Sequence, residues 1–160
     1  MVGLNSTLTE ICTEMASKTL VLLAICSIGI LASCSPAKEF PSKYSKDQIH
    51  FGQGGGFSGL ITYYALLEDG RLFLRSQRDS TFTLVTTWDK NFVDQMFSNY
   101  KRFNFDQLDF NEPGDLYYFL QYYPAKKPSH NLTWGRSGFR PDENLVTYYN
   151  LLYKSTKSKT

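Results

Sequence analysis

Beyond residue 34 this sequence contains no cysteine; its three are Cys12, Cys26 and Cys34. A domain built from the later residues therefore has no disulfide, no thiol nucleophile and no thiolate metal site. Histidine is almost as scarce. His50 and His130 stand alone, with no H-E-x-x-H pair to hold zinc. An excess of one charge is missing too. The 160-residue chain carries 17 basic and 15 acidic side chains, a net of +2. Without Lys18, Glu10 and Glu14, the part after residue 34 has 16 basic and 13 acidic ones. Nucleic-acid partners are disfavoured, because they take a clustered basic patch. No Gly-Lys-Ser or Gly-Lys-Thr occurs, so a P-loop is excluded. The longest apolar run, residues 19–34, is shorter than the ~20 residues that span a bilayer as a helix.

That run is informative for another reason. Lys18 precedes it, and it ends in small residues, the pattern of a secretory signal. Its last four residues, Leu31-Ala32-Ser33-Cys34, place an aliphatic residue and two small ones before a cysteine. This resembles the lipobox of bacterial lipoprotein signal peptides. The resemblance implies cleavage before Cys34, a lipid on the Cys34 sulfur and an acylated new N-terminus. Residues 1–33 are then the signal peptide, with Met15 a plausible true start. The implied location is the bacterial cell envelope. Ser35, rather than Asp, follows the cysteine, which favours the outer membrane where the cell has one.

Aromatic residues are abundant, and all 12 Phe, 11 Tyr and both Trp lie after Cys34. Residues 34–48 are polar, carry two prolines and show no period, as a tether does. Residues 49–51 read as a short strand. Residues 57–67, 72–76 and 81–88 read as a three-stranded antiparallel meander, with Asp69-Gly70 at one turn. Apolar residues at 92, 93, 96, 97, 100 and 103 then predict an amphipathic helix over 89–103, capped by Asp89. "LYYFLQYY" (116–123) is a strand that pairs with 130–135 across a turn at 124–129. A second helix follows Asp142, with Leu145, Val146, Tyr149 and Leu152 on one face. The expected fold is α+β, in the order βββ-α-ββ-α. An antiparallel sheet of about five strands carries two helices on one face. It forms a single domain over 49–154, with a frayed tail at 155–160.

Few residues offer chemistry. Gly54-x-Gly56-x-x-Gly59 matches a dinucleotide motif, but a strand-like segment follows where a helix should begin. Gly56-Phe57-Ser58-Gly59 fails as a nucleophile elbow because its second glycine comes one position early. Ser58 would also need a base, and strand geometry does not bring His50 to it. Asp106, Asp109, Glu112 and Asp115 lack the frame of a calcium loop. Tyr117, Phe119 and Tyr123 share one strand face, and Tyr118 and Tyr122 the other. One face is core, and the other is a candidate stacking platform for sugar or peptide. The expectation is therefore a non-enzyme without catalytic residue, cofactor or metal.

Residues 55–59, Gly-Gly-Phe-Ser-Gly, resemble the GGFxG segment of emfourin-type proteins, small bacterial inhibitors of thermolysin-like metalloproteases. The order of strands, helix, aromatic hairpin and short C-terminal helix is similar over most of 49–153. Ser58 where Ala is usual, a longer hairpin over 60–88 and the lipid anchor depart from that pattern. The resemblance implies partner contacts at Gly54, Gly55, Gly56, Phe57, Ser58 and Gly59, with the 124–130 hairpin tip as a further candidate. Partners are then the membrane, through Cys34, and a protease or other envelope protein. The competing expectation is an assembly or glycan-binding lipoprotein that uses exposed aromatics. The glycine segment itself reads as the lead-in to the first long strand, with Phe57 turned into the core.

Overall fold

The computed structural model describes residues 40–157. The fold is α+β: one seven-stranded sheet with two helices on the same face. Strands β1 (Gln48–Gly55), β2 (Thr62–Leu67), β3 (Arg71–Arg75) and β4 (Phe82–Thr87) form an antiparallel meander. Helix α1 (Lys90–Arg102) follows, then the two-residue β5 (Asn111–Glu112), the hairpin of β6 (Leu116–Tyr123) and β7 (His130–Trp134), and helix α2 (Glu143–Ser155). Across the sheet the order is β4-β3-β2-β1-β6-β7-β5.

The five-strand antiparallel expectation is corrected in two places. β5 pairs with β7 in parallel, so the sheet is mixed. Two residues carry no period that a sequence could show. The larger correction is β1, expected over 49–51 and found over eight residues. Glycine is a poor strand former, but β1 is central. It pairs from Gln48 to Gln53 with β2 and from Gln48 to Gly55 with β6. Two ladders override the local preference.

The helices begin where the sequence places them. The Asp89 carboxylate accepts from the amides of Asn91 (3.0 Å) and Phe92 (3.2 Å), and Asp142 accepts from those of Asn144 (2.8 Å) and Leu145 (3.2 Å). Each satisfies N–H groups that the first helical turn leaves unpaired. Val93, Met96, Phe97 and Tyr100 of α1 are buried, as are Leu145, Tyr148, Tyr149 and Leu152 of α2. Val146, expected on that face, is half-buried, and Tyr148 takes its place. Helix α2 runs through Ser155 and its last turn closes at Lys157, into the tail expected to fray. At the Asp69-Gly70 turn only Gly70 has positive φ, 94°.

Side chains alternate across a strand, so β1 divides its residues between two environments. Ile49 and Phe51 join Leu66, Leu72, Leu120, Tyr122, Leu132 and Trp134 beneath the helices, in the main core. Gln48, His50, Gly52 and Gly54 point to the face without helices. Residues 40–47 cover one end of that face. The 3-10 turn Pro41–Lys43 and Tyr44 sit over a small second core of Ala65, Leu67 and Phe73. The stretch expected as a tether, 34–48, is therefore packed from residue 40 onward. The Asp47 carboxylate anchors this corner. It accepts from the Tyr122 hydroxyl and the Ala125 amide (2.9 Å), and meets Lys101 Nζ at 3.5 Å. Burial raises its pKa, but these donors and the Lys101 charge outweigh burial and hold it below the usual carboxylate range.

Candidate functional site

The expected contact residues lie at the end of β1 and in the loop to β2. The Gly56 amide donates to the Asp115 carbonyl at 2.6 Å, and the Gly59 amide closes a turn on the Gly56 carbonyl at 3.1 Å. Phe57 and Ser58 form the corner of that turn. Gly56 has φ of 71° with open space at its missing Cβ, so the backbone conformation is what calls for glycine there. Gly55 is held by proximity as well: a Cβ would fall 2.0 Å from the Asp115 carbonyl oxygen.

Phe57 does not turn into the core. Its side chain is fully exposed, at 112% of the reference area, and Leu60 and Ile61 behind it are exposed at 63% and 40%. The Gly56–Gly59 bond is the cause, because it closes the chain into a turn whose corner points away from the sheet. Ser58 is exposed, and its hydroxyl accepts from the Leu60 amide at 3.4 Å. His50, buried mid-strand, is engaged elsewhere. The structure does not bring Ser58 and His50 together as nucleophile and base.

The helix-free face holds a second candidate site. The side chains of β6 divide between the two faces as the alternation requires: Tyr118 stacks on Trp134 and Tyr122 on Tyr100 beneath the helices. Tyr117 and Phe119 face the other way and line a groove of about 510 Å³ with Gly59, Ile61, Tyr63, Arg75, Gln77 and Gln121. Gly52 and Gly54 make this groove possible. A Cβ on Gly54 would lie 2.7 Å from Tyr117 Cζ, and one on Gly52 would lie 2.8 Å from Phe119 Cζ and 1.9 Å from the Thr62 carbonyl oxygen. The rings of β6 thus lean across β1, over positions with no side chain.

A polar chain runs from the covered end of this face towards the groove. Gln48 Nε2 donates to the carbonyls of Pro41 (3.0 Å) and Tyr44 (3.3 Å), which turns Gln48 Oε1 towards His50 Nε2 at 2.9 Å. Burial first, and the positive charge of Arg75 second, push the His50 pKa down to about 3. The ring is neutral at pH 7, with its proton on Nε2. Its bare Nδ1 accepts from the Tyr63 hydroxyl at 2.7 Å. The Gln121 amide lies 3.0 Å from the Tyr63 oxygen and accepts from the Tyr123 hydroxyl at 3.1 Å. Tyr63 has a single proton to give, and the shorter contact is to His50. Burial, then neighbouring Tyr123, raises the Tyr63 pKa. Arg75 lies 5.3 Å above the Tyr63 ring and donates to Ser80 Oγ at 2.9 Å.

The groove offers a ligand aromatic faces, amides, hydroxyls and one guanidinium. Among the described residues, no three His, Cys, Asp or Glu side chains gather as metal ligands would. In the acidic stretch, Glu112 pairs with Arg136 at 2.6 Å and the Asp115 carbonyl holds the glycine turn. Tyr63, Arg75 and Gln121 were not singled out from sequence. The signal was there for Gln121, an amide in a run of aromatics on the face that Tyr117 and Phe119 share. Tyr63 and Arg75 join it only through strand register. Cys34, the lipobox and residues 1–33 lie outside the described residues. No family model matches this chain, and no curated protein matches it.

Proposed function

We propose that this chain is a lipid-anchored bacterial envelope protein whose folded domain binds another protein and catalyses nothing. The observation that carries the binding site is Phe57, a fully exposed aromatic on a turn fixed by two backbone hydrogen bonds. Aromatic anchors dominate binding energy where they fill a pocket. A loop already held in place loses little entropy on docking. Gly54, Gly55, Gly56, Ser58 and Gly59 shape the loop, and Phe57 makes the contact. The lipobox supports the anchor at Cys34 and an outer-membrane location where there is one. The likeness of Gly55-Gly56-Phe57-Ser58-Gly59 to emfourin-type inhibitors supports a thermolysin-like protease as the partner.

Inhibition of thermolysin-like and other secreted proteases by the mature protein, with and without Phe57→Ala, tests the target. The wild type is expected to inhibit and the variant to lose most of that inhibition. No effect at micromolar protein removes these proteases as targets. A photo-crosslinker at position 57 in intact cells tests the wider reading: failure to capture any envelope protein there overturns it. Cys34→Ser is expected to release the protein from membranes, and continued membrane attachment refutes the anchor.

The groove favours a second reading, a glycan-binding lipoprotein. Tyr63, Tyr117 and Phe119 bring aromatic rings to a cleft with amide and hydroxyl groups at its edge, the composition of a small-ligand site.

A further inference from the structure

We propose that the groove on the helix-free face takes a carboxylate-bearing sugar, with its ring on Tyr117 and its carboxylate on Arg75. This inference rests on the glycan reading and adds the charge of the ligand to it.

Charge complementarity is the first support. Among the described residues, Arg75 is the one charged side chain that lines the groove, and no acidic side chain does. Among the described residues, Arg75 has no carboxylate partner. The nearest candidate by sequence, Asp79 in the β3–β4 turn, is engaged within that turn: its Oδ1 accepts from the Thr81 amide at 3.2 Å and the Thr81 hydroxyl at 2.8 Å. A guanidinium offers five N–H donors. Here the single hydrogen bond to Ser80 leaves most of them open, while the Tyr63 ring below fixes the plane of approach. A planar fork on a fixed base suits a carboxylate, which it can meet with two parallel bonds. A single cation is poorly matched to a phosphate dianion.

The rest of the lining suits a sugar. Tyr63 and Phe119 lie with ring centroids 5.2 Å apart and planes 35° from each other, and Tyr117 continues the row over Gly54. Aromatic faces take the apolar C–H face of a pyranose. Ser76, Ser80, Gln77, Gln121 and Thr133 supply hydroxyls and amides for the ring substituents. A peptide strand would need an open backbone edge, and the groove lies on the sheet's face, between paired strands. Gln77 Nε2 donates to the Ile61 carbonyl at 2.6 Å, so one wall is tied in place before any ligand arrives.

The test is calorimetric titration of the mature protein with a galacturonic acid oligomer and with its methyl ester, which keeps the rings and removes the charge. The acid is expected to bind at least tenfold more tightly, and added salt to narrow the gap. Arg75→Gln should abolish the preference, and Arg75→Lys should restore part of it. Tyr117→Ala should weaken both ligands alike, with melting curves showing that each variant folds. Equal binding of acid and ester by the wild type overturns the charged ligand and leaves the glycan reading standing. No binding of either at millimolar concentration overturns both.

Discussion

Each face of the sheet carries a histidine hydrogen-bonded to a tyrosine, and the two are finished differently. Beneath the helices, His130 Nε2 donates to the Leu108 carbonyl at 2.7 Å, and its Nδ1 accepts from the Tyr100 hydroxyl at 2.6 Å. Tyr148 and Tyr149 likewise end on backbone carbonyls, those of Met96 (3.0 Å) and Gly52 (2.8 Å). On that face the polar tips of His130, Tyr148 and Tyr149 close on the main chain, and that of Tyr122 on the Asp47 carboxylate. On the open face, the chain from Gln48 through His50 and Tyr63 to Gln121 ends in a groove beside a cation. The same residue types close a core on one side and line an open groove on the other. What separates them is whether a helix lies on top.

Substitutions can break this contrast, and the largest effect is expected at the strand that serves both faces. Gly52→Val places a branched side chain against the Thr62 carbonyl and the Phe119 ring, where even a Cβ would sit at 1.9 Å from backbone. Chemical denaturation should show a loss above about 4 kcal/mol, at the exceptional end for one substitution. A variant that melts like the wild type would mean that the rings do not lean on β1.

Acid tests the open face next. The unfolded chain protonates His50 below about pH 6.5, and the folded chain does so only near pH 3. Between those values the unfolded state binds the extra proton, so stability is full above pH 6.5 and falls as pH drops. The loss between pH 7 and pH 4 is about 3 kcal/mol. His50→Gln should flatten this part of the stability curve. An unchanged slope would place the acid sensitivity elsewhere. Asp47, whose pKa is lowered, acts mainly below this window: its contribution is present above the ordinary carboxylate pKa and lost as pH falls through its depressed value.

The covered face is probed more gently. Tyr149→Phe deletes the bond from α2 to the Gly52 carbonyl, at a cost of about 1 kcal/mol in urea melts. The smallest expected change is at the exposed turn. Phe57→Ala should leave stability within about 0.5 kcal/mol while removing partner binding. A large drop in melting temperature would instead make Phe57 structural.

Much of this contrast was readable from the sequence. The alternation in residues 116–123 assigned Tyr118 and Tyr122 to one face and Tyr117 and Phe119 to the other, because period 2 leaves a strand no choice. Asp89 and Asp142 marked their helices by side-chain chemistry that needs no tertiary context. β1 was hidden because its glycines describe what the neighbours require, and those neighbours lie ten and more than sixty residues away. Phe57 departs from its local pattern for a related reason. An aromatic next to a strand suggests core, but one hydrogen bond between Gly56 and Gly59 decides its direction. The groove depends on Tyr63, Arg75 and Gln121 meeting across three strands, which no local pattern records.

The position of β1 has a mechanical consequence. The chain passes from the packed corner at residues 40–47 straight into the middle of the sheet, bonded to β2 on one side and β6 on the other. A load applied at residue 40 must break two ladders before β1 moves, whereas the outer strand β4 is held by one. Force spectroscopy with handles at residue 40 and at the β4 end should find the first attachment stronger. A domain tethered at this end would resist being pulled open by its own leash.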